Sequence, residues 1–142
     1  MSYDLMVFAP EAAPKDRAAF MEWYDAQTEW SEGHSYDDPA VTTPALRAWF
    51  MELIEDYAPL NGPFAAARVP DDVALTADCS IGTSVIYVGF RWSSARQAYE
   101  TVFRLASKHG VGFFDVSSSP SEVWLPDGRG GLAIALSIGS DP

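Results

Sequence analysis

The side chains with the most reactive chemistry lie together in the segment His34-Ser35-Tyr36-Asp37-Asp38. An imidazole and two carboxylates this close in sequence could ligate a divalent metal ion, or could provide a His-Asp pair for general-base catalysis. No second histidine lies nearby, and the spacing matches no defined metal site. The competing interpretation is an exposed loop in which the Asp residues cap turns. We therefore expect no metal and no cofactor, and His34, Asp37 and Asp38 are the ligands to examine if a metal binds.

Four acidic residues upstream, Glu22, Asp25, Glu29 and Glu32, are spaced three, four and three apart. On a helix all four would share one face, where like charges destabilise the helix by roughly 0.2–0.5 kcal/mol per pair. Residues 18–46 contain no Lys or Arg that could offset them. One interpretation is a solvated face that keeps the protein in solution. The other is an electrostatic docking surface for a basic partner.

Aromatic residues lie among these acids, and Trp and Tyr are enriched at the energetic centres of protein interfaces. Trp23 is assigned to the core-facing side of the predicted helix, whereas the other aromatic residues join the docking hypothesis. The candidate partner-binding residues are Glu22, Asp25, Glu29, Trp30, Glu32, Tyr36, Asp37 and Asp38.

Three other features could carry chemistry, and each has a simpler structural interpretation. Cys79 is the single cysteine, so it forms no intramolecular disulfide, and buried Cys residues are commonly inert. His109 falls at the end of a predicted helix, where it interacts favourably with the last carbonyl groups. The run 128–131 lacks the Lys of a phosphate-binding loop and precedes a predicted strand, so residues 127–131 are predicted to form a hairpin turn. We therefore predict no catalytic residues and favour binding over catalysis.

Charge is divided unequally along the chain. Residues 1–78 carry fifteen acidic and four basic residues, a net charge of −11, whereas residues 79–142 carry five of each. Contacts with nucleic acid or an anionic membrane need basic surfaces, so a basic protein partner is expected instead. The N-terminus does not read as a signal peptide, no stretch of about 20 apolar residues occurs, and the lone Cys suits a reducing compartment. These features predict a cytoplasmic location.

Hydrophobic periodicity and turn residues predict three helices and six strands. The predicted helices run from Pro14 to about Trp30, from the cap pair Thr43-Pro44 to a stop at Pro59, and from Ser94 to His109 with Gly110 as the C-cap. The predicted strands are 3–8, 78–81, 84–92, 111–117, 122–125 and 132–138, and 78–81 is predicted to pair with 84–92 as a hairpin. The 59–77 segment is long for a connection in a compact domain, which favours partial order or a function of its own.

Without one N-terminal helix the predicted order is βαββαβ, the split βαβ arrangement. The sequence therefore predicts an α+β fold, a ferredoxin-like sheet with an extra N-terminal helix and with its helices on one face. Residues 84–92 are apolar on both faces, which is typical of a central strand that is covered on both sides. A length of 142 residues fits one domain spanning 1–142.

Three segments carry a resemblance to known proteins. Met-Ser-Tyr-Asp-Leu at the start, residues 31–39 and residues 109–116 resemble a family of small acidic bacterial proteins without an assigned function. The resemblance implies no catalytic residues. In size and acidity the chain is also similar to the immunity proteins that neutralise secreted bacterial toxins.

These observations lead to three hypotheses. The first is an acidic protein-binding module, in its most concrete form an immunity protein that neutralises a basic, nuclease-like toxin. The second is a small enzyme or a ligand- or metal-binding domain that uses the His34–Asp38 loop. The third is a subunit that self-associates through exposed aromatic residues, with Trp30, Tyr36 and Trp124 as candidates.

Overall fold

A computed structural model describes residues 2–65 and 76–138, which form one seven-stranded sheet and three α-helices. In chain order the elements are β1 (Tyr3–Phe8), α1 (Arg17–Gln27), α2 (Pro44–Leu53), β2 (Ala58–Pro59), β3 (Thr76–Ile81), β4 (Val85–Phe90), α3 (Ala95–His109), β5 (Gly112–Phe114), β6 (Ser121–Pro126) and β7 (Leu132–Ile138). The predicted α+β class is confirmed. None of the helices in these two ranges is both long and apolar enough to cross a membrane.

The central strand is β1, because the strand order is β2-β3-β4-β1-β5-β6-β7. All neighbouring strands are antiparallel except β2 and β3, which pair in parallel. Leu5 and Val7 of β1 face one side of the sheet, and Met6 and Phe8 face the other. All four side chains are fully buried, so both faces of the sheet must be covered.

The two faces are covered by different helices. On the first face, α2 and α3 pack their apolar sides against β1, with Trp49, Leu53 and Leu105 among the buried residues. On the second face, α1 buries Phe20 against Phe8 of β1 and Phe114 of β5. The sheet therefore lies between two layers of helix.

The ferredoxin-like arrangement predicted from the sequence is not the one observed. The sheet has a different strand order, with a short parallel strand added at one edge and with β6 and β7 extending the other. The prediction that the helices share one face is also wrong, because α1 lies on the face opposite α2 and α3. The physical reason is that β1 and β4 are apolar on both faces and require cover on both sides.

The start of α2 and the end of α3 lie where their capping residues predict. The Thr43 hydroxyl accepts a hydrogen bond from the backbone N–H of Leu46 at 3.2 Å, and Pro44 occupies the first helical position. Helix α2 ends at Leu53, earlier than the predicted stop at Pro59. Gly110 ends α3 with φ of 68°, a left-handed conformation that favours glycine, as predicted.

Helix α1 is shorter than predicted at both ends. It begins after Asp16, whose carboxylate accepts a hydrogen bond from the N–H of Ala19 at 3.1 Å, and Pro14 lies outside it. It ends at Gln27, and Trp30 adopts φ of 53°, which a continuing helix does not allow. The predicted extension to Trp30 is therefore wrong by about one turn.

The hairpin of β3 and β4 is confirmed, with Asp78 opposite Gly89 and Ile81 opposite Ile86. The turn predicted before β7 is also present, because the Asp127 N–H donates to the Gly131 carbonyl at 3.0 Å. The prediction for 59–77 falls largely outside the described residues. Of that segment, the structure shows Pro59 of β2 paired with Ala77 of β3.

Close packing at Gly112 gives a test of the second face. A methyl group at Gly112 would lie 2.3 Å from two ring carbons of Phe8, whose ring is buried against Phe20 and Trp23. We expect Gly112→Ala to lower the free energy of unfolding by about 1–3 kcal/mol, measured by urea denaturation. Gly33→Ala is the control, because a methyl group there meets nothing within 4 Å. Equal stability of the two variants would contradict this packing.

Candidate functional site

A pocket opens on the second face of the sheet where α1 does not cover it. Its volume is about 270 Å³. It lies between the strands and the segment that follows α1, and its lining is mostly polar. We call it the Trp30 pocket, and the residues that line it are Ser2, Asp4, Thr28, Trp30, Asp78, Ser80, Tyr87 and Gly89.

Three adjacent strands form the floor of the Trp30 pocket. Asp4 of β1, Gly89 of β4 and Asp78 of β3 lie directly opposite one another across the sheet. Residues in this relation point to the same face, so both carboxylates stand on the side of the pocket. Gly89 lies between them and has no side chain, and a methyl group there would lie 3.2 Å from Oδ1 of Asp4 and 3.5 Å from Cβ and Oγ of Ser2. The glycine therefore leaves room for the Asp4 carboxylate and the Ser2 side chain above β4.

The carboxylate of Asp4 is held in place by its neighbours. Oδ1 accepts a hydrogen bond from the Ser2 hydroxyl at 2.5 Å, and Oδ2 accepts one from the Tyr87 hydroxyl at 2.7 Å. Burial, followed by the hydrogen bond to Asp4, raises the pKa of Tyr87 above its ordinary value, so the phenol stays protonated and donates. A carboxylate can accept about four hydrogen bonds, which leaves Asp4 able to bind a further donor.

Trp30 forms a wall of the pocket. Its positive φ is uncommon for a residue other than glycine, and such conformations persist where the surrounding structure holds them. The indole ring contacts Tyr36 with ring centres 5.1 Å apart and Tyr87 with ring centres 6.0 Å apart. Trp30, which was predicted to bind a partner, therefore lines a pocket together with strand residues that the sequence analysis did not single out.

Glu32 and Tyr36 are partly buried and hold the loop after α1 against the sheet. The Tyr36 hydroxyl accepts a hydrogen bond from the N–H of Glu32 at 2.6 Å, and the Tyr36 carbonyl accepts one from Ile81 at 2.8 Å. Oε1 of Glu32 accepts hydrogen bonds from the N–H and the hydroxyl of Thr83, both at 3.0 Å. Burial acts to raise the pKa of Glu32, but the hydrogen bonds from His34 and Thr83 outweigh it and lower the pKa.

The proposed metal ligands of this loop point to different partners. His34 contacts Glu32 through Nε2 and the Ser35 carbonyl through Nδ1. Asp37 accepts a hydrogen bond from the Ser35 hydroxyl at 2.9 Å, and Asp38 caps a short helical turn. Within residues 2–65 and 76–138 no group of three His, Cys, Asp or Glu residues is arranged to hold a metal ion. The arrangement matches the alternative interpretation, in which the Asp residues stabilise turns.

The predicted acidic stripe is divided by the end of α1. Glu22 and Asp25 are exposed on the helix, and Glu29 is exposed in the turn that follows. Glu32 lies beyond the helix, is partly buried and accepts hydrogen bonds from Thr83, so the prediction that it shares their helical face is wrong. The four ion pairs among the described residues include none of Glu22, Asp25 and Glu29.

Two of the three basic residues that flank these acids in sequence donate hydrogen bonds to backbone carbonyl groups. Lys15 donates hydrogen bonds to the carbonyl groups of Pro10 and Ala13 at 2.7 and 3.2 Å. Arg47 donates to carbonyl groups before α2, including those of Pro39 and Thr42, both at 3.1 Å. These two cations stabilise backbone turns. The third, Arg17, is exposed at the start of α1 and forms no ion pair with Glu22, Asp25 or Glu29 among the described residues.

On the first face the acidic charge of α2 is partly neutralised. Glu52 accepts contacts from Lys108 at 2.9 Å and from His109 at 2.8 Å, which joins α2 to the end of α3. The hydrogen bond from Lys108, followed by that from His109, lowers the pKa of Glu52.

Burial raises the pKa of the Cys79 thiol to about 12, so Cys79 is not a thiolate nucleophile at neutral pH.

Sequence reasoning missed Asp4, Asp78 and Tyr87, and also Asp115 at the end of β5. Asp115 is only 4% exposed and accepts a hydrogen bond from the N–H of Glu122. Burial, with a smaller contribution from the charge of Glu122, raises the pKa of Asp115 to about 6. Two of these residues could have been found from their position in the sequence, because Asp4 and Asp115 are acidic residues next to or within strongly apolar strands.

Comparison with protein families, with curated proteins and with solved structures finds no significant match for this chain. The resemblance to small acidic bacterial proteins therefore stays a prediction.

The buried carboxyl of Asp115 predicts a pH dependence of stability. Because the pKa in the folded protein is about 6 and the ordinary value is 3.8, the unfolded chain loses this proton first as pH rises. The free energy of unfolding should therefore fall between about pH 4 and pH 6. Asp115→Asn stays neutral and keeps an acceptor oxygen for Glu122. The quantity to compare is the free energy of unfolding of Asp115→Asn minus that of wild type. We expect this difference to be about 1 kcal/mol larger at pH 7 than at pH 4, after discounting for solvent screening.

Urea unfolding at both pH values measures this difference. Asp127→Asn is the matched control, because Asp127 also accepts a backbone hydrogen bond, from Arg129 at 2.7 Å, but is exposed. Parallel pH curves for wild type and Asp115→Asn would contradict the assignment.

Proposed function

We propose that this protein is a binding module that docks a basic protein partner through the exposed carboxylates of Glu22, Asp25 and Glu29, here called the acidic surface. One observation carries the proposal. These three carboxylates form no ion pair within the described parts of the chain, whereas Lys15 and Arg47 are bound to backbone carbonyl groups. Uncompensated charge at the end of a helix is unfavourable for the helix itself, which favours a role in binding.

The distribution of charge supports an oriented encounter. The acidic surface lies on the α1 side of the sheet, whereas Glu52 on the opposite side is paired with Lys108 and His109. A charged surface of one sign accelerates association with a partner of the other sign and fixes its orientation. A partner with a basic surface would therefore approach from the α1 side.

The most concrete form of the proposal is an immunity protein that neutralises a nuclease-like toxin. Nucleases bind polyanions and so carry basic surfaces, which an acidic protein of this size can cover. We propose a cytoplasmic location for this activity, where the lone thiol of Cys79 would stay reduced. The resemblance to small bacterial proteins is compatible with this form.

The two alternatives have less support. An enzyme or metal site in the His34–Asp38 loop would need side chains that instead stabilise the loop. Self-association through Trp124 would need an accessible indole, but its ring packs against Phe103 with ring centres 5.0 Å apart. Ile134 of the edge strand β7 is 52% exposed, which favours self-association through this edge of the sheet instead. Light scattering would detect such a dimer.

Reversal of the acidic surface tests the proposal. We expect Glu22→Lys, Asp25→Lys and Glu29→Lys together to weaken capture of a basic partner from a lysate of the native host by roughly 100-fold. The fold should persist, because all three positions are exposed. Circular dichroism and quantitative pull-down at low and high salt are the measurements.

A control variant with the same net charge separates this surface from charge in general. Glu55→Lys, Asp56→Lys and Glu100→Lys change exposed residues on the side of α2 and α3, and each triple variant changes the net charge from −11 to −5. We expect the control to retain the partner at low salt. Equal losses for both variants, or none for the first, would contradict docking through the acidic surface.

A further inference from the structure

We infer that the Trp30 pocket binds one guanidinium group, supplied by an arginine side chain of the basic partner. This inference rests on the proposed function and adds to it a specific anchoring site. The pocket has a volume of about 270 Å³, and none of the described residues that line it is basic. It holds two carboxylates, two aromatic rings and a glycine floor, which together suit a planar organic cation.

The carboxylates are arranged for such a cation. The Cα atoms of Asp4 and Asp78 are about 10 Å apart, because two strand spacings of roughly 4.8 Å separate them. A methyl group at Gly89, the residue between them, would lie 3.2 Å from Oδ1 of Asp4, so the Asp4 carboxylate reaches over Gly89. A guanidinium group has five N–H donors in one plane, so it can donate to carboxylates on two sides at once. Asp4 is already oriented by Ser2 and Tyr87, which reduces the entropy lost on binding.

The aromatic walls add a second attraction. The rings of Trp30 and Tyr87 meet at 82° with their centres 6.0 Å apart, which forms a corner beside the two carboxylates. Guanidinium groups stack on indole and phenol rings, and this contact is stronger where water is excluded. An ammonium group of Lys would gain less, because it is a compact and strongly hydrated point charge.

A metal ion fits the pocket less well. The described lining offers two carboxylates, and no third His, Cys, Asp or Glu joins them to complete a metal site. A carboxylate pair next to Trp and Tyr favours an organic cation, because such a cation can also stack on the aromatic rings.

Continuity with the acidic surface favours a partner's side chain over a free small cation. Thr28 and Trp30 line the pocket, and Glu29 of the acidic surface lies between them in sequence and is exposed. A buried Arg surrounded by a charged rim is a common arrangement at the energetic centre of a protein interface. The acidic surface would orient the partner, and the Trp30 pocket would bind one of its arginines.

Titration with small probes tests the chemistry of the pocket. The probes are N-acetyl-arginine amide, N-acetyl-lysine amide and N-acetyl-citrulline amide, the last being a neutral isostere of arginine. We expect the arginine probe to shift the indole N–H resonance of Trp30 with a Kd on the order of 1 mM. The lysine probe should bind more weakly, and the citrulline probe should produce no saturable shift. Equal binding of arginine and citrulline probes, or no binding of either, would overturn the inference.

Asp78→Asn and Asp127→Asn are matched variants, because both change an exposed Asp but only Asp78 lines the pocket. We expect Asp78→Asn to weaken the arginine probe and the captured partner by about tenfold each, and Asp127→Asn to change neither. If Asp78→Asn weakens the probe but not the partner, the pocket takes a free small cation and the assignment to a partner's arginine is overturned.

These outcomes are separable from failure of the proposed function. If the acidic-surface reversal abolishes partner capture and the arginine probe does not bind, the inference fails and the function stands. If the probe binds with the expected dependence on Asp78 and the reversal leaves capture unchanged, docking through the acidic surface fails, and the assignment to a partner's arginine fails with it.

Discussion

The burial of β1 on both faces is the constraint on which the rest of this structure depends. Because Leu5 and Val7 face one side and Met6 and Phe8 the other, each face needs its own layer of helix. Helices α2 and α3 cover one face. On the other face α1 has 11 residues, about 16 Å in length, whereas a sheet of seven strands is about 29 Å wide. One helix of this length cannot cover that face, and the uncovered part contains the Trp30 pocket.

The polar residues of the sheet lie where this cover is missing. Asp4, Asp78 and Ser80 point to the same face as Met6 and Phe8, and all three line the Trp30 pocket. The chain leaves α1 through Thr28 and through the left-handed conformation of Trp30, which directs the following loop back onto the sheet. The same change of direction leaves Glu29 exposed and brings Glu32 to Thr83. Pocket and acidic surface are therefore consequences of where one short helix ends.

Local sequence signals predicted the elements whose ends are set by local chemistry. The Thr43-Pro44 pair, Gly110 and the Asp127 turn each act within a few residues, and all three were confirmed. The two-sided apolar pattern of 84–92 predicted a covered central strand, and β4 lies between β1 and β3. The start of α1 was wrong because Pro14 and Asp16 are both good N-terminal residues, and the sequence alone does not rank them.

Long-range contacts were beyond the reach of sequence patterns. The helical spacing of Glu22, Asp25, Glu29 and Glu32 takes no account of Thr83, which is distant in sequence and binds the Glu32 carboxylate. The Trp30 pocket was missed for the same reason, because the register of three strands brings Asp4 and Asp78 to either side of Gly89. The face occupied by each helix also depends on tertiary packing, which periodicity does not report.

We propose that basic ligands dock on the α1 side of the sheet, around the acidic surface and the Trp30 pocket. Titration of the isotopically labelled protein with a hexa-arginine peptide, followed by backbone and indole NMR shifts at about 0.15 M salt, measures where such a ligand binds. We expect the largest shifts on residues 22–32 and on Asp4, Asp78 and Gly89. Shifts that are largest on α2 and α3, or that are spread evenly over all acidic residues, would contradict it.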